Sequence, residues 1–463
     1  MQRLSIQSLL SMARPLMLLL ALPTLWTLAP SAAGAKWTLN EAFLPENLFL
    51  EVSHRTRYEF LNDEFRAGQN GDTDVVAFRT LIHAGIHLPS GFTLGAELQD
   101  SRTEQNADTA LNTGIVNAAE LLRAYVSVTR DEMLGGTLNA QAGRITMDLG
   151  SRRLVARNRY RNTINGFTGL DVRWQGNAET GNLELRGFWT LPVRREPGAR
   201  SRLLDNDAVF DNESLEQQFW GLFAARDLGV LGRAEFYFLG LNETDLRNRE
   251  LYTPGFRFFK KPAPGAFDYT FESAVQFGES RLPASGSRDL NHLAHFHHLT
   301  VGYTFNTFAS PRIALQYDYI SGDENPNDGS NERFDTLFGA RRFEWGPTGI
   351  YGPFARANLH TPGIRIQVKP HQRVTAFVAY RGYWLASDQD AWTTSRVQDP
   401  TGRANNFIGS QFEIRTRFQI IPGNVLLEAG YAHLFAGDFI DEAPNSNGQG
   451  DSDYVYTQIK LDF

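Results

Sequence analysis

Six arginines lie within the eighteen residues from Arg144 to Arg161, where Asp148 is the only acidic residue. A guanidinium stays charged at every physiological pH and binds a carboxylate through two parallel hydrogen bonds. A patch of this kind in a low-dielectric wall concentrates anions. This segment therefore predicts an anion site, and the elements that carry it decide which anions can reach it.

The composition narrows the class of protein. The 463-residue chain has 45 basic residues, only five of them lysine, and 52 acidic residues, which gives a net charge of −7. An acidic chain is unlike a general nucleic-acid binder, whose footprint is basic. The absence of cysteine excludes disulfides, a thiol nucleophile and a thiolate metal site.

The first 35 residues have the features of a secretory signal peptide. Arg3 and Arg14 supply positive charge, an apolar stretch covers 16–28, and Ala33 and Ala35 flank Gly34 as at a signal-peptidase site. We therefore predict an exported protein with a signal peptide at 1–35. The remainder, 36–463, is predicted to be a single domain.

Beyond this leader, apolar and polar side chains alternate with a period of two. Between Phe267 and Phe277 the odd positions are mostly aromatic or aliphatic, and the even positions are mostly polar. Successive side chains of a strand point to opposite faces, so each such segment predicts a strand with one apolar face. No apolar run after residue 35 reaches the ~18 residues that a membrane helix needs.

The connections between these segments alternate in length. Short turns such as 421–424 alternate with long polar loops such as 146–166 and 321–355, as in bacterial outer-membrane barrels with short periplasmic turns and long extracellular loops. The chain ends in an alternating strand with Phe463, and an even strand number sets it antiparallel to a first strand at Leu48–Phe60. The sequence thus predicts an all-β fold, a transmembrane antiparallel β-barrel of about 18 strands, with 16 as the alternative.

If the apolar faces meet lipid, the polar faces line the lumen. By the same alternation, carboxylates such as Glu97 and Glu272 face the lumen together with several arginines. The competing interpretation is that each of these arginines is neutralised by a carboxylate on a neighbouring strand. The arginine-rich loop is predicted to form a pore-side constriction, and an outward grip on lipopolysaccharide phosphates is the alternative. The predicted pore-lining and selectivity residues are Arg55, Arg57, Arg79, Arg144, Arg152, Arg153, Arg157, Arg159, Asp318, Arg365, Arg415 and Arg417.

Other patterns point less clearly to a site. His292, His295, His297 and His298 lie within seven residues, but a polar cluster at a strand entry explains them better than a metal centre, and no metal site is predicted. The segment 321–332 has oxygen-bearing side chains at alternate positions but lacks the acidic residue that ends an EF-hand loop, so it predicts at most an opportunistic calcium site. No Ser–His pair stands out, and we predict neither an enzyme nor a cofactor.

Several of these segments resemble the alginate export family of outer-membrane porins. The likeness is strongest at 311–329, where a strand ends in Ser-Gly-Asp before an Asn- and Asp-rich loop, and RFDTLF (333–338) follows in the family's order. The segments 142–172 and 428–440 also fit, so the likeness spans most of the mature chain.

The resemblance implies a monomeric barrel of about eighteen strands whose arginine-rich lumen passes an anionic uronate polymer outward. Secretion proteins of the periplasm are possible further partners, which the sequence does not identify. It assigns the selectivity zone to Arg144, Arg152, Arg365, Arg415 and Arg417, with Asp318 as their partner in the lumen. We therefore predict a porin or exporter in the bacterial outer membrane for an anionic solute, above all an acidic polysaccharide such as alginate. A general or organic-acid uptake porin of the same fold is the alternative, and a structural or adhesive barrel is a third. The predicted partners are outer-membrane lipid, lipopolysaccharide and the polysaccharide or small anion, and not nucleic acid.

Overall fold

The computed structural model describes residues 37–39, 44–104, 111–244, 248–281, 288–448 and 450–463. The predicted signal peptide at 1–35 lies outside these residues. Within them, eighteen strands of 9 to 17 residues follow one another along the chain. They are β1 (Leu48–Asn62), β2 (Thr73–Leu88), β3 (Phe92–Glu104), β4 (Asn117–Met133), β5 (Gly136–Ile145), β6 (Phe167–Gly176), β7 (Glu184–Pro192), β8 (Gln217–Asp227), β9 (Arg233–Glu243), β10 (Arg249–Lys260), β11 (Ala266–Ser280), β12 (Leu290–Thr304), β13 (Arg312–Ile320), β14 (Leu359–His371), β15 (Val374–Trp384), β16 (Phe407–Ile421), β17 (Val425–Ala436) and β18 (Ser452–Asp462).

The strands form one closed antiparallel barrel. Each pairs with the next in the chain, and β1 pairs with β18, where Arg57 lies opposite Gln458. Closure leaves no strand edge with unpaired backbone groups, which is a requirement for a sheet inside a membrane. A two-residue strand, Ser330–Asn331, adds a short parallel pairing at the start of β12. The predicted fold class is confirmed, with 18 strands rather than 16.

The distribution of side chains is the reverse of that in a soluble protein. Large apolar side chains such as Leu222 (62% exposed), Phe267 (68%) and Leu315 (61%) cover the outer surface. Charged side chains such as Arg57 and Asp318 are 0% exposed. Soluble proteins almost never bury so many charges or expose so many large apolar groups, so the outer surface faces lipid and the polar face lines the lumen.

Short turns gather at one end of the barrel and long loops at the other, as the sequence predicts. Two long loops matter for the site: the β5–β6 loop (146–166) and the β13–β14 loop (321–358). In bacterial barrels the long-loop end is extracellular. Short helices lie in the loops: α1 (Arg200–Leu204), α2 (Arg342–Trp345) and α3 (Asp438–Glu442). None of the helices in the described ranges has both the length and the apolar character needed to cross a membrane.

Candidate functional site

The β5–β6 loop lies inside the barrel, where inward-facing arginines of β1 and β2 hold its backbone. Arg55 Nη1 donates to the carbonyl of Tyr160 at 2.8 Å. Arg79 Nη1 donates to the carbonyls of Arg159 and Arg161, both at 2.9 Å. These bonds satisfy buried carbonyls that have no secondary-structure partner, and so they fix the loop against the wall.

Arg57 reinforces the same attachment. Its Nη2 donates to the Tyr160 carbonyl at 2.6 Å, and its guanidinium lies 4.0 Å from the centre of the Tyr160 ring. Its Nε donates to Gln458 on β18, and Nη1 lies 3.2 Å from Glu59. Arg57 therefore joins the barrel seam to the loop.

The β13–β14 loop enters the lumen as well. Arg342, on α2, donates to Glu413 Oε1 at 2.7 Å and to the Tyr456 hydroxyl at 2.9 Å. From the wall, Arg365 Nη1 donates to the carbonyl of Phe343 at 2.7 Å. Wall and loop thus hold each other through charge-assisted hydrogen bonds, which are the stronger kind.

The two loops also bind each other, and together they are called the plug below. Val155 and Phe338 form a parallel bridge, and the Phe338 amide donates to the Leu154 carbonyl at 2.9 Å. A side chain at Gly339 would overlap the carbonyl of Arg153. Only glycine allows the two backbones to come so close.

A buried charge network lies at the centre of the plug. Arg153 contacts Glu272 on the wall (Nη1 to Oε2, 2.6 Å) and Glu344 on α2 (Nε to Oε1, 2.5 Å). Arg356 also donates to Glu344. Burial opposes ionisation of Glu344, but Arg153 and Arg356 outweigh it and lower its pKa to about 2. Removing one member of such a network leaves an uncompensated buried charge, which costs about 3–5 kcal/mol.

Asp318, on the wall, extends this network. It accepts from Arg381 Nη1 at 2.7 Å and from Trp345 Nε1 at 3.3 Å, and it lies 2.6 Å from His298 Nδ1. The ligand atoms of His298, Asp318 and Glu344 all lie within 4.8 Å of one another, as in a metal centre. However, the guanidinium of Arg381 and the two arginines that hold Glu344 already neutralise both carboxylates, so a cation would have no net negative charge to bind.

The four histidines of β12 do not share one site. His292 and His298 point inward, where His292 Nε2 lies 3.0 Å from Gln276 Oε1. His295 and His297 occupy the alternate, outward positions, and their ring nitrogens lie 3.1 Å apart. The spacing in the sequence therefore splits the cluster between the two faces of the strand.

Arg144 and Arg157 are paired with carboxylates. Arg144 contacts Glu120 at 2.5 Å and Glu213 at 2.6 Å. Arg157 contacts Glu97 on the wall at 2.5 Å. Both guanidiniums thus help to hold loop and wall together, and the solute contact predicted for them stays a prediction.

The plug separates two cavities. The outer cavity, about 1160 Å³, is lined by the long loops, and the inner cavity, about 620 Å³, reaches Lys460 and Asp462 near the end of β18. Asn158 lines both cavities, so they approach each other at this residue. The outer lining has nine arginines and three acidic side chains, and the inner lining has nine basic and five acidic side chains. Both cavities therefore carry an excess of positive charge.

Four arginines of the outer cavity form no ion pair with any residue that the structure describes: Arg161, Arg194, Arg195 and Arg341. Arg161 and Arg195 share the side-chain oxygen of Asn165, and Arg341 donates to the carbonyl of Phe354 at 2.8 Å. Burial and the like charges of Arg195 and Arg341 lower the pKa of Arg161, and burial lowers that of Arg341 to about 10. A cluster whose own charges repel each other is the kind that an incoming anion stabilises.

The inner cavity is lined by seven of the predicted residues: Arg55, Arg79 and Arg157, described above, and Arg152, Arg159, Arg415 and Arg417. Arg159 and Arg417 each contact one carboxylate. Arg152 lies over the Phe343 ring at 5.3 Å and Arg415 over the Phe377 ring at 4.7 Å, and within the described ranges neither forms an ion pair. These two guanidiniums therefore face the cavity with N–H donors that no described carboxylate accepts from.

Sequence reasoning missed the outer arginines Arg195 and Arg341 as site residues, and it counted Arg161 only as part of the charged run. A signal was present, because the long loops contain consecutive arginines at 152–153, 194–195 and 341–342. In two of these pairs the members go to different places. Arg152 faces the inner cavity while Arg153 enters the buried network, and Arg341 lines the outer cavity while Arg342 lines the inner one.

Comparison with solved structures supports the architecture. OccK9 (OpdG) of Pseudomonas aeruginosa is 13% identical with a TM-score of 0.59, and the alignment covers 90% of this chain and 98% of that one. OccAB1 of Acinetobacter baumannii is 12% identical with a TM-score of 0.56, over 94% and 100% of the two chains. OpdK of Pseudomonas aeruginosa, solved with vanillate, is 10% identical with a TM-score of 0.55, over 89% and 99%. At these identities the likeness concerns the fold alone.

Sequence comparison identifies the family. No curated protein sequence matches the chain significantly. The family profile described as alginate export matches residues 47–451, which include every strand from β1 to β17 and end just before β18. The fold and this match are those of transport porins, and they locate the chain in the bacterial outer membrane. The protein belongs to the alginate export family.

Proposed function

We propose that the protein is a passive conduit for an anionic solute and that its solute is an acidic, uronate-type polysaccharide. One observation carries the proposal: arginines outnumber carboxylates in the linings of both cavities, on either side of the plug. A net-acidic chain thus has a positive interior. Net charge alone would have suggested the opposite preference.

The arrangement of the free guanidiniums suits a repeating anion. Arg152 and Arg415 lie on the inner side of the plug, and Arg161, Arg195 and Arg341 lie on the outer side. A polymer with one carboxylate per sugar can exchange one guanidinium for the next as it moves. Conduction requires that binding be strong enough for entry and weak enough for release, and exposed or partly shared guanidiniums meet that condition.

A small organic acid is the second candidate. The fold neighbour OpdK was solved with vanillate, an aromatic carboxylate. The same positive cavities would attract a monovalent acid, and the plug restricts the lumen. A structural or adhesive barrel that conducts no ions is a third, and it gains no specific support from the cavities.

Planar-bilayer recording of the purified chain tests the proposal. Reversal potentials under a salt gradient should show preference for anions. Oligouronates added on the inner side should block the current reversibly, and a neutral oligosaccharide of equal length should not. Cation preference, or equal block by the neutral control, would contradict the first proposal.

Vanillate separates the first two candidates. Block by vanillate at lower concentration than by the oligouronate, on a per-carboxylate basis, would favour the organic-acid porin. Absence of any conductance would favour the structural barrel.

A further inference from the structure

Two extracellular loops meet at a cluster of acidic residues above the lumen. The amide of Asp323, on the β13–β14 loop, donates to Asp390 Oδ2 at 3.0 Å, and Asp390 lies on the loop between β15 and β16. Ser387, on the same loop as Asp390, donates its hydroxyl to the carbonyl of Asp323 at 2.7 Å. The cluster therefore sits at the junction between these two loops.

Asp390 is fully satisfied by the protein. Arg333 donates to both of its oxygens, with Nε to Oδ2 at 2.8 Å. The amide of Ala391 donates to Oδ1 at 2.7 Å. Arg333, the one guanidinium that faces this cluster within the described ranges, is thus committed to Asp390.

Neither Asp323 nor Glu332 forms an ion pair with a described residue, and Glu332 accepts only from the amide of Glu324, at 3.4 Å. The bond from the Glu324 amide places the Glu332 carboxyl beside the segment that carries Asp323, and two ionised carboxylates can only accept hydrogen bonds. Asp323 is 1% exposed, and its Oδ1 is buried without a hydrogen-bond partner in the described structure. Burial and the neighbouring carboxyls raise the pKa of Asp323 to about 7.

The charges of the cluster indicate which kind of ligand it would suit. Three carboxylates and one guanidinium leave a net charge of −2, which one divalent cation would neutralise. The buried group of His298, Asp318 and Glu344 differs in this respect, because three guanidiniums surround it. All the available ligands at Asp323 are oxygens, the donors that Ca²⁺ prefers, and partial exposure of Glu332 leaves room for water to complete six to eight ligands.

We propose that Asp323 and Glu332 bind a calcium ion that joins the β13–β14 loop to the β15–β16 loop. This site is independent of the solute proposed above. It also refines the ligand set expected from the sequence motif. Asp328, which belongs to that motif, is exposed, and its carboxylate instead accepts from the amide of Ser330 at 2.7 Å.

Calorimetric titration of the full chain tests the site. The protein is refolded into detergent without lipopolysaccharide, treated with a chelator and titrated with CaCl₂. We expect one ion per chain, with a dissociation constant on the order of 10⁻⁴ to 10⁻³ M, as in extracellular calcium modules. Asp323→Asn and Glu332→Gln should each weaken binding at least about tenfold, and the matched control Asp328→Asn should leave it unchanged.

Glu332 is only partly buried, so E332Q keeps the test valid if D323N does not fold. Heat-dependent migration on gels checks that each variant forms the barrel. The proposal would be overturned if titration with calcium gave no heat of binding, or if wild type, D323N and E332Q bound calcium equally. A second result would also overturn it: a thermal stability that does not change with calcium concentration but falls as the pH rises towards 7. That result would indicate a proton shared between the two carboxyl groups instead of a calcium ion.

Discussion

Arg153 and Glu344 join the two loops of the plug through a hydrogen bond of 2.5 Å from Nε to Oε1. The residues are 191 positions apart in the chain, and both are buried. The same guanidinium reaches Glu272 on the wall, so a single side chain connects both loops to the barrel. The plug should therefore respond as one unit when this contact is removed.

The first prediction concerns Arg153→Met and Glu344→Gln. Each leaves buried charge without its partner, at a cost of about 3–5 kcal/mol, and we expect a looser plug with higher and noisier single-channel conductance. Arg102→Gln is the control, because Arg102 forms an exposed pair with Asp100, a kind worth only about 0–1 kcal/mol. Conductance equal to wild type in both plug variants would show that the loops are held by other contacts.

The second prediction is a pH dependence of the plug. The pKa of Glu344 is about 2 in the folded protein and about 4.5 ordinarily, so its stabilisation is complete above pH 4.5 and is lost as the pH falls through 2. We expect conductance to rise between pH 4.5 and 2 in wild type. E344Q, which has no carboxylate to protonate, should show a smaller rise. A flat wild-type profile over this interval would contradict the assignment.

The third prediction concerns the wall arginines that hold the β5–β6 loop. Arg55→Ala and Arg79→Ala each remove donors to the carbonyls of residues 159–161. In the double variant the carbonyls of Arg159 and Arg161 lose both of their donors, at about 1–3 kcal/mol per group. We expect faster amide hydrogen exchange in peptides covering 155–165. Peptides of β11 serve as the internal control, and unchanged protection of the loop would refute the attachment.

The barrel could be predicted from the sequence because its signals are local. Period-two alternation marks each strand, and the alternation of short and long connections distinguishes a membrane barrel from a sandwich. The inward position of Arg57, Arg79 and Arg365 follows from the alternation of side chains along each strand alone. Exact strand ends could not be obtained in this way, since β1 runs two residues beyond the predicted Phe60.

The plug could not be predicted in the same way. Arg55 and Arg79 bind backbone carbonyls, which every residue possesses, about 80 to 105 positions away. No residue type in the β5–β6 loop indicates that its backbone carbonyls accept hydrogen bonds from arginines of the wall. Whether a charged loop lies inside or outside a barrel is decided by partners that are distant in the chain, and the sequence left both alternatives open for that reason.

The fourth prediction addresses selectivity in the outer cavity. Arg161→Gln, Arg195→Gln and Arg341→Gln each remove a cation that pairs with no carboxylate among the described residues. Each should lower the anion-to-cation permeability ratio on the order of two-fold in 0.1 M salt. The effect should shrink in 1 M salt, where the screening length falls from about 10 Å to about 3 Å. Arg202→Gln is the matched control, since Arg202 lies on the same loop as Arg195 but pairs with Asp207 at the surface. Equal loss of selectivity in the control would mean that the effect is not specific to the cavity.

The fifth prediction concerns Asn158, which lines both cavities and has a φ of 57°. Asparagine and aspartate both tolerate this left-handed conformation, so Asn158→Asp adds a negative charge at nearly constant shape. A unit charge 4 Å from a passing anion is worth about 4 kcal/mol at an effective dielectric constant of 20, before screening. We therefore expect anion permeability to fall on the order of tenfold, with unchanged thermal stability.

Asn158→Gly provides the uncharged control, because glycine adopts the same backbone conformation without strain. It should retain anion preference and, since it removes a side chain that lies between the two cavities, should conduct at least as well as wild type. If N158D and N158G kept the same selectivity, the solute would have to pass the plug elsewhere. The wall side of α2, where Arg342 and Arg415 face the inner cavity, would then be the place to search for the path.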